Sequence, residues 1–284
     1  MKSGMLPVSV ASELAIVIGG VRILVRTDSA ELARLLAERY GSFATLTSHP
    51  EEKAARPGEW SAFELDIELT APPARVDPDE GVRVNHKSGR WVMERGDFQA
   101  EWDPERRRGW VRQAANPYSL DTVLRIIHTL ILAREGGFLV HAASAVRNGR
   151  AFLFAGVSGA GKTTISRLAP SGVLLLTDEI SYVRRTATGY EAFGTPFAGE
   201  LARVGENIRA PLSVLYLLTQ GTPNRIEEVN EVDAARAVLE SVLFFAQDAE
   251  LVKRVFQSAL DFVNTVPVKR FVFKADASAW EMVG

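Results

Sequence analysis

Gly156-Val157-Ser158-Gly159-Ala160-Gly161-Lys162-Thr163 is the most informative segment of this sequence for predicting the fold. It fits the pattern G-x-x-x-x-G-K-[S/T] without a mismatch. Its surroundings fit as well, because residues 151–155 predict a short buried strand before it and residues 164–168 predict a helix after it. In such a unit, glycines let backbone N–H groups turn towards a phosphate at the start of the helix. The sequence therefore predicts a loop that binds nucleotide phosphates.

Each polar group of this loop has an expected role. Lys162 is expected to neutralise the β and γ charges of a nucleoside triphosphate, and the Thr163 hydroxyl to ligate Mg²⁺. The residues expected to contact the nucleotide are Gly156, Ser158, Gly159, Ala160, Gly161, Lys162, Thr163 and Thr164. We expect ATP with Mg²⁺, although the sequence identifies no base-selecting residue and so leaves GTP open.

A second candidate group follows an apolar run at residues 173–177, where Asp178 and Glu179 come directly after a predicted strand. Ligand-binding groups gather at the carboxyl ends of strands in parallel sheets. Asp178 is a candidate for contacting Mg²⁺ or accepting a hydroxyl proton, and Glu179 for the complementary role. Thr163, Asp178 and Glu179 are thus the candidate metal ligands. A turn or capping role for the acidic pair remains open.

The strand before the loop is predicted to belong to a hairpin. Residues 138–146 and 151–155 are apolar runs joined through Asn148-Gly149, a pair that favours a type I′ turn. The strand that leads into the loop is therefore expected to pair antiparallel with the strand before it, as part of a mixed sheet.

These segments resemble a known family. Residues 139–145 (LVHAASA), the hairpin, the 156–163 loop and residues 174–179 are similar to the core of HPr kinase/phosphorylase. They are more similar still to its relatives encoded beside peptide-modification pathways, which share a fold related to phosphoenolpyruvate carboxykinase. Residues 194–200 (GTPFAGE) resemble the segment that follows the acidic strand in those relatives.

The resemblance implies an α/β (α+β) fold with a P-loop core and transfer of the ATP γ-phosphoryl group to a serine hydroxyl. The acceptor would be a protein, a peptide or a small molecule. Asp178 matches a carboxylate that assists proton transfer, with Lys162 and Glu179 beside it, and His141 matches a histidine near the transferred phosphoryl group. A purely structural role for His141 stays open. Arg203 or Arg209 is a further candidate for contacting phosphate.

The chain also departs from that family. Asp178-Glu179 replaces a pair of aspartates, and the C-terminal signature is not evident around residues 266–270, which argues against phosphorylase activity and against HPr as substrate. Two alternatives remain: an ATP-binding switch or scaffold with slow ATPase activity, and a small-molecule hydroxyl kinase.

The residues before 118 predict a smaller α+β module, with residues 118–284 as the nucleotide-binding core. A hairpin turns at Gly19-Gly20, a helix capped at Asp28 ends at Gly41, and strict alternation from Phe63 predicts an antiparallel meander. Four tryptophans are expected to fill one face of that sheet: Trp60, Trp91, Trp102 and Trp110. Ser119 is the predicted cap of the next helix, which contains a structural His128.

Composition excludes several classes of function. The net charge is -2 with a pI near 6.2, which provides no positive field for nucleic acid. The absence of cysteine and the four scattered histidines exclude disulfides and a cysteine-ligated metal. Residues 1–10 lack the features of a leader peptide, and no apolar run is long enough to span a membrane. We therefore expect a cytoplasmic protein that acts on a peptide or small protein, with homo-oligomerisation left open.

Overall fold

The computed structural model describes residues 12–46, 61–72 and 80–284. It is mixed α/β, and its contacts divide the chain into two compact units, Met1–Val123 and Leu124–Gly284. The described strands of each unit form one large mixed sheet. The domain boundary predicted between residues 117 and 118 lies in the first turn of a helix, Pro117–Glu135, that runs from the first unit into the second.

The first unit contains an eight-stranded sheet among the described residues, with the order β3-β1-β2-β4-β8-β7-β6-β5. Its elements are β1 Ser12–Ile18, β2 Val21–Thr27, α1 Ala30–Tyr40, a 3-10 turn Gly41–Phe43, β3 Ala44–Leu46, β4 Ser61–Leu69, β5 Arg83–Lys87, β6 Arg90–Arg95, β7 Phe98–Asp103 and β8 Arg108–Gln113. The predicted hairpin is confirmed, since β1 and β2 pair antiparallel around Gly19 (φ 60°) and Gly20 (φ 80°).

The predicted antiparallel meander is only partly right. Strands β5 to β8 pair antiparallel in sequence, but β4 runs parallel to both of its neighbours, β2 and β8. The prediction was wrong for β4 because side chains alternate between faces in parallel and antiparallel strands alike. Alternation therefore predicts a strand without predicting its partner.

Both helices are capped by a residue other than the predicted one, which is one residue away in the first helix and three in the second. Ser29, not Asp28, caps α1, because its hydroxyl accepts the Leu32 N–H at 3.2 Å. Ser119 does not cap the second helix. The Asn116 side chain accepts the N–H groups of Tyr118 at 3.0 Å and Ser119 at 3.1 Å, so the helix begins at Pro117. Proline suits that first position because its missing N–H would have no partner there.

The tryptophans divide between the two faces of the first sheet. Trp91 and Trp102 are buried as predicted, with 1% and 2% of their surface exposed. Trp110 is 36% exposed, and the guanidinium of Arg112 lies 5.5 Å from its ring centroid. The prediction for Trp110 is therefore wrong. Trp60 and residues 1–10, which were expected to lack the features of a leader peptide, lie outside the described residues.

The second unit contains a nine-stranded mixed sheet whose main path is β10-β9-β12-β13-β14-β17-β15. Its elements are α2 Pro117–Glu135 (begun in the first unit), β9 Gly137–Arg147, β10 Arg150–Ala155, α3 Lys162–Arg167, β11 Leu174–Thr177, β12 Ile180–Thr186, β13 Gly189–Phe193, β14 Arg209–Gln220, β15 Arg225–Glu228, α4 Glu231–Ser241, β16 Val242–Leu243, α5 Ala249–Thr265, β17 Val268–Phe273 and a 3-10 turn Ala277–Met282.

The hairpin predicted before the loop is confirmed. Strands β9 and β10 pair antiparallel, and both turn residues, Asn148 (φ 51°) and Gly149 (φ 73°), have the positive φ angles that a type I′ turn needs. On its other side β10 pairs parallel with β14, so the sheet is mixed, as expected. Among the described residues, no helix is both long and apolar enough to cross a bilayer.

Candidate functional site

The middle of β9 fixes the position of the candidate site. On one side, Ala142 pairs with Ala155, the last residue of β10 before the 156–163 loop. On the other side, Ser144 pairs with Thr177 and His141 pairs with Ile180. The loop and the two residues between Thr177 and Ile180 are therefore held at the same level on opposite sides of one strand.

Those two residues are Asp178 and Glu179, and their setting differs from the prediction. The acidic pair was expected at the end of a strand, but the chain continues beyond it in the same direction as β12, still paired with β9. The pair thus occupies an interruption in a longer strand. Because β10 and β11 both run antiparallel to β9, and β14 runs parallel to β10, the last residues of β10, β11 and β14 still point the same way.

A cavity of about 390 Å³ lies at this edge of the sheet. Its lining contains every predicted catalytic residue: His141, Lys162, Asp178 and Glu179. It also contains Ser158, Gly159, Gly161, Thr163, Thr164, Gly199, Glu200 and Gln220. Gly156 and Ala160, which were also predicted to contact nucleotide, are absent from the lining, and Ala160 is 9% exposed. Residues that are distant in the sequence therefore share one cavity.

The loop has the backbone shape that its glycines predict. Gly159 (φ 78°) and Gly161 (φ 111°) adopt conformations that strain any residue with a Cβ atom. Gly161 is also confined from behind, since a Cβ there would lie 2.5 Å from Cζ of Phe273. Lys162 follows as the first residue of α3.

The charges of the site influence one another. The Lys162 ammonium donates a hydrogen bond to the Gly156 carbonyl at 2.8 Å. Desolvation lowers the pKa of Lys162, and the negative charges of Glu179 and Glu200 oppose that change. Desolvation also lowers the pKa of His141, and the nearby positive charge of Lys162 adds to the effect. His141 is therefore biased towards its neutral form, in which one ring nitrogen can accept a hydrogen bond.

Asp178 has a clear structural role. Only 6% of the residue is exposed, its Oδ1 accepts the N–H of Gly199 at 2.8 Å, and its Oδ2 accepts the N–H of Leu201 at 2.8 Å. Hydrogen bonds to a carboxylate are stronger than those between neutral groups. Asp178 thus holds the middle of the irregular 194–208 segment against the cavity and places Glu200, between the two bonded amides, in its lining.

Three residues of the cavity were not predicted as site residues from the sequence: Gly199, Glu200 and Gln220. Gln220, at the end of β14, donates its side-chain N–H to the Gly159 carbonyl at 2.9 Å. Glu200 lies in the segment that the resemblance singled out, but only its neighbourhood was considered. Glu200 and Gln220 could have been found by searching for polar residues at the end of every predicted apolar strand and in the segment that follows it, as was done for Asp178. Arg203 and Arg209, which were considered instead, do not line the cavity.

The donor set of the cavity suits a polyphosphate with a hard cation. An ammonium and a glycine-rich backbone suit the anion, and hydroxyl and carboxylate oxygens are the ligands that Mg²⁺ prefers. Among the described residues, no group of three or more His, Cys, Asp or Glu side chains is arranged to hold a metal. Thr163, Asp178 and Glu179 would therefore share a Mg²⁺ ion with phosphate and water oxygens, a sharing that is usual for this ion.

Comparison with protein families gives a match over the second unit. A family model described as SynChlorMet cassette protein ScmC matches residues 113–284, which is more than half of the chain. The matched range includes all of α2, the cavity and the whole of the second sheet. No curated protein matches the chain.

Proposed function

This chain belongs to the family of SynChlorMet cassette protein ScmC, and from that premise we propose that it is an ATP-dependent kinase that phosphorylates a serine of a protein or peptide. The family description names no activity, so the proposal rests on the site. The observation that carries it is the cavity in which Lys162 and Thr163 of the glycine-rich loop face Asp178, Glu179 and His141.

We also propose that the second unit has a P-loop core like that of HPr kinase, related to phosphoenolpyruvate carboxykinase. Two features support this. The strand that enters the loop pairs antiparallel with the one before it, and the segment after the acidic pair returns to the cavity through Gly199 and Glu200. The resemblance of residues 139–145 and 194–200 to that family agrees with both features.

Each polar residue of the site has its own role in the transfer. When bound, Mg-ATP supplies the γ-phosphorus, to which the serine oxygen bonds as the bond to the bridging oxygen breaks and ADP leaves with that electron pair. Lys162 exchanges its bond with the Gly156 carbonyl for contact with phosphate oxygens and neutralises their charge. The Thr163 hydroxyl would be one of the ligands that hold the Mg²⁺ ion. Positioning of this kind supplies most of the rate in phosphoryl transfer.

A carboxylate must take the proton of the serine hydroxyl. Asp178 accepts one backbone hydrogen bond on each oxygen and, when ionised, has further lone pairs on both. It can therefore hold the 194–208 segment and accept a hydroxyl proton at the same time. Glu179, beside it in the lining, has the complementary role of contacting the cation.

A second candidate function is an ATP-dependent switch that hydrolyses ATP slowly. One observation favours it: both oxygens of Asp178 are bonded to the 194–208 segment. A ligand that drew Asp178 towards itself would also shift that segment, and a partner protein could respond to the change. This candidate differs from the kinase in needing no acceptor hydroxyl.

Incubation with Mg-ATP and the peptides encoded beside the gene, followed by mass spectrometry for phosphoserine, tests the proposal. We expect Asp178→Asn to slow phosphorylation by about 10² to 10⁴-fold, the usual contribution of a general base. Lys162→Met should abolish nucleotide binding in calorimetry. Equal rates for wild type and Asp178→Asn would refute the assignment of Asp178. Consumption of ATP without a phosphorylated acceptor would favour the switch.

A further inference from the structure

A second cavity, of about 420 Å³, lies against the same three pieces of chain that line the first. We call it the acceptor groove. Its lining includes Arg167, Leu174, Leu175, Leu201, Arg203 and Glu206. The first cavity touches the beginning of α3 and the acidic pair after β11, whereas the acceptor groove touches the end of α3 and the beginning of β11. The groove and the candidate site share no lining residue, but each is lined by α3, by β11 or the residues directly after it, and by the 194–208 segment.

The acceptor groove combines an apolar floor with positive charge. Leu174 is 45% exposed, which is unusual for a leucine in a strand, and Leu201 and Leu175 lie beside it in the lining. Arg167 is exposed, and the Arg203 side chain is 68% exposed. Glu206, the only acidic residue of the lining, lies 3.8 Å from Arg203. An exposed ion pair of this length is worth little, so the two arginines remain available to a ligand.

We propose that the acceptor groove binds an extended peptide segment with an acidic side chain and directs its serine into the first cavity. The inference rests on the proposed kinase function and narrows the acceptor to a peptide segment. The apolar floor suits an aliphatic side chain of the peptide, and the arginines suit its carboxylate.

The length of α3 sets the spacing within that peptide. Lys162 and Arg167 are the first and last residues of the helix, which places them about 8 Å apart along its axis at about 1.5 Å per residue. An extended chain covers this distance in two or three residues at about 3.3 Å each. The acidic residue should therefore lie two or three positions from the serine. A small hydroxyl compound is too short to reach both sites.

Leu201 connects the acceptor groove to the carboxylate of the first cavity. It belongs to the lining of the groove, and its N–H donates to Asp178 Oδ2 at 2.8 Å. A peptide that packs on Leu201 thus presses on the residue that positions Asp178. Binding of a peptide in the groove should therefore hold the Asp178 carboxylate more firmly in position when the serine enters the first cavity.

Charge reversal tests the inference. The probes are two nine-residue peptides with one central serine and flanking leucines, identical except for Glu or Lys three positions before and after the serine. Wild-type protein should phosphorylate the Glu peptide with a kcat/KM about 3 to 10-fold higher, as expected for one or two exposed ion pairs. Arg203→Glu and Arg167→Glu should each reduce or reverse that preference. Calorimetry should show unchanged Mg-ATP binding for both variants.

Arg150→Glu is the matched control, because Arg150 is also exposed in the second unit but lies at the β9–β10 turn and not in the groove. It should behave as wild type. The inference is overturned if the groove variants keep the wild-type preference, if free serine is phosphorylated as efficiently as the Glu peptide, or if a peptide encoded beside the gene is phosphorylated while neither probe peptide is. Failure of the proposed function itself would differ, since wild-type protein would then show no binding of Mg-ATP or no transfer to any acceptor.

Discussion

Gln220 reaches the 156–163 loop from a strand that lies 61 residues further along the chain than Gly159, to whose carbonyl it donates. This hydrogen bond ties one carbonyl of the loop to the end of β14 and so helps to fix the shape of the loop. A neutral hydrogen bond contributes about 0.5–1.5 kcal/mol. We therefore expect Gln220→Leu to weaken Mg-ATP binding by about 3 to 10-fold in calorimetry.

Thr219→Val provides the control for this prediction. Thr219 precedes Gln220 in the same strand and is exposed, but it does not line the cavity. Its replacement should leave the affinity unchanged. Equal affinities for wild type and Gln220→Leu would show that the loop keeps its shape without this side chain.

His128 makes the stability of the second unit depend on pH. The residue is fully buried, neither ring nitrogen has a hydrogen-bond partner among the described residues, and desolvation lowers its pKa from 6.5 to about 3. In the unfolded chain it binds a proton below pH 6.5. Its contribution to stability is therefore complete above pH 6.5 and is lost as the pH falls towards 3. His128→Leu should reduce the slope of the unfolding free energy against pH in this range by up to about 1.4 kcal/mol per pH unit, measured by urea unfolding.

Tyr182→Phe is the control for His128. The two rings are in contact, with centroids 5.5 Å apart, and the buried hydroxyl of Tyr182 has a pKa raised above its usual value. It stays protonated throughout the acidic range, so its removal should leave the slope unchanged. A slope that survives in His128→Leu would assign the acid sensitivity to other groups.

Much of the candidate site was predictable at the level of residues, because its chemistry is local in the sequence. The glycines and Lys162 form one motif, and Asp178 and Glu179 follow a recognisable apolar run. Gln220 ends an apolar strand and could have been proposed as a site residue, but its contact with the loop was not predictable, since it depends on the pairing of β10 with β14. No short motif encodes which two strands will become neighbours.

Among the elements, the 194–208 segment depends on Asp178. Asn has one acceptor oxygen and one NH₂ group, so it cannot accept the N–H bonds of both Gly199 and Leu201. A hydrogen bond to a charged group contributes about 1.5–3 kcal/mol. Asp178→Asn should therefore speed hydrogen exchange at these two amides by about 10 to 100-fold. Glu179→Gln should leave their exchange unchanged, and the same acceleration in both variants would contradict the assignment.

The far end of this segment is fixed by close packing. A Cβ atom on Gly205 would lie 1.8 Å from the carbonyl oxygen of Leu176 in β11. Because the obstacle is backbone, relief requires the segment or the strand to move. We expect Gly205→Ala to lower the free energy of unfolding by about 2 kcal/mol or more. Gly81→Ala, where a Cβ meets nothing within 4 Å, should change it by less than about 0.5 kcal/mol in the same thermal unfolding measurement.

The elements themselves were better predicted than their pairing. The β1–β2 hairpin, the β9–β10 hairpin and helix α1 follow from turn residues, capping and apolar spacing, which are local signals. The parallel pairing of β4 and the continuation of β11 into β12 are not local, because each depends on a partner strand far away in the sequence. The sequence alone therefore could not show that the acidic pair interrupts a strand and does not end it.

For the whole molecule, α2 is the structural link, since its first residues belong to one compact unit and the remainder to the other. The helix is continuous across residues 123 and 124, so unfolding of either unit interrupts it. We expect a single cooperative transition in scanning calorimetry, stabilised as a whole by about 2.7 kcal/mol at a nucleotide concentration 100 times the Kd. Lys162→Met should show no such shift. A second unfolding transition whose temperature does not change with Mg-ATP would show that the two units unfold independently.

The central strand β9 has a consequence for how such a site can change. Its two neighbours are both aligned to it by backbone pairing, through Ala155 on one side and through Thr177 and Ile180 on the other. A slip of one residue would turn every side chain to the opposite face, so the backbone spacing between loop and acids can change only in steps of two residues, about 6.6 Å. Smaller changes in the distance between the loop and the carboxylates must come from the length of the acidic side chains. One methylene, the difference between Asp178 and Glu179, is the smallest step open to this site.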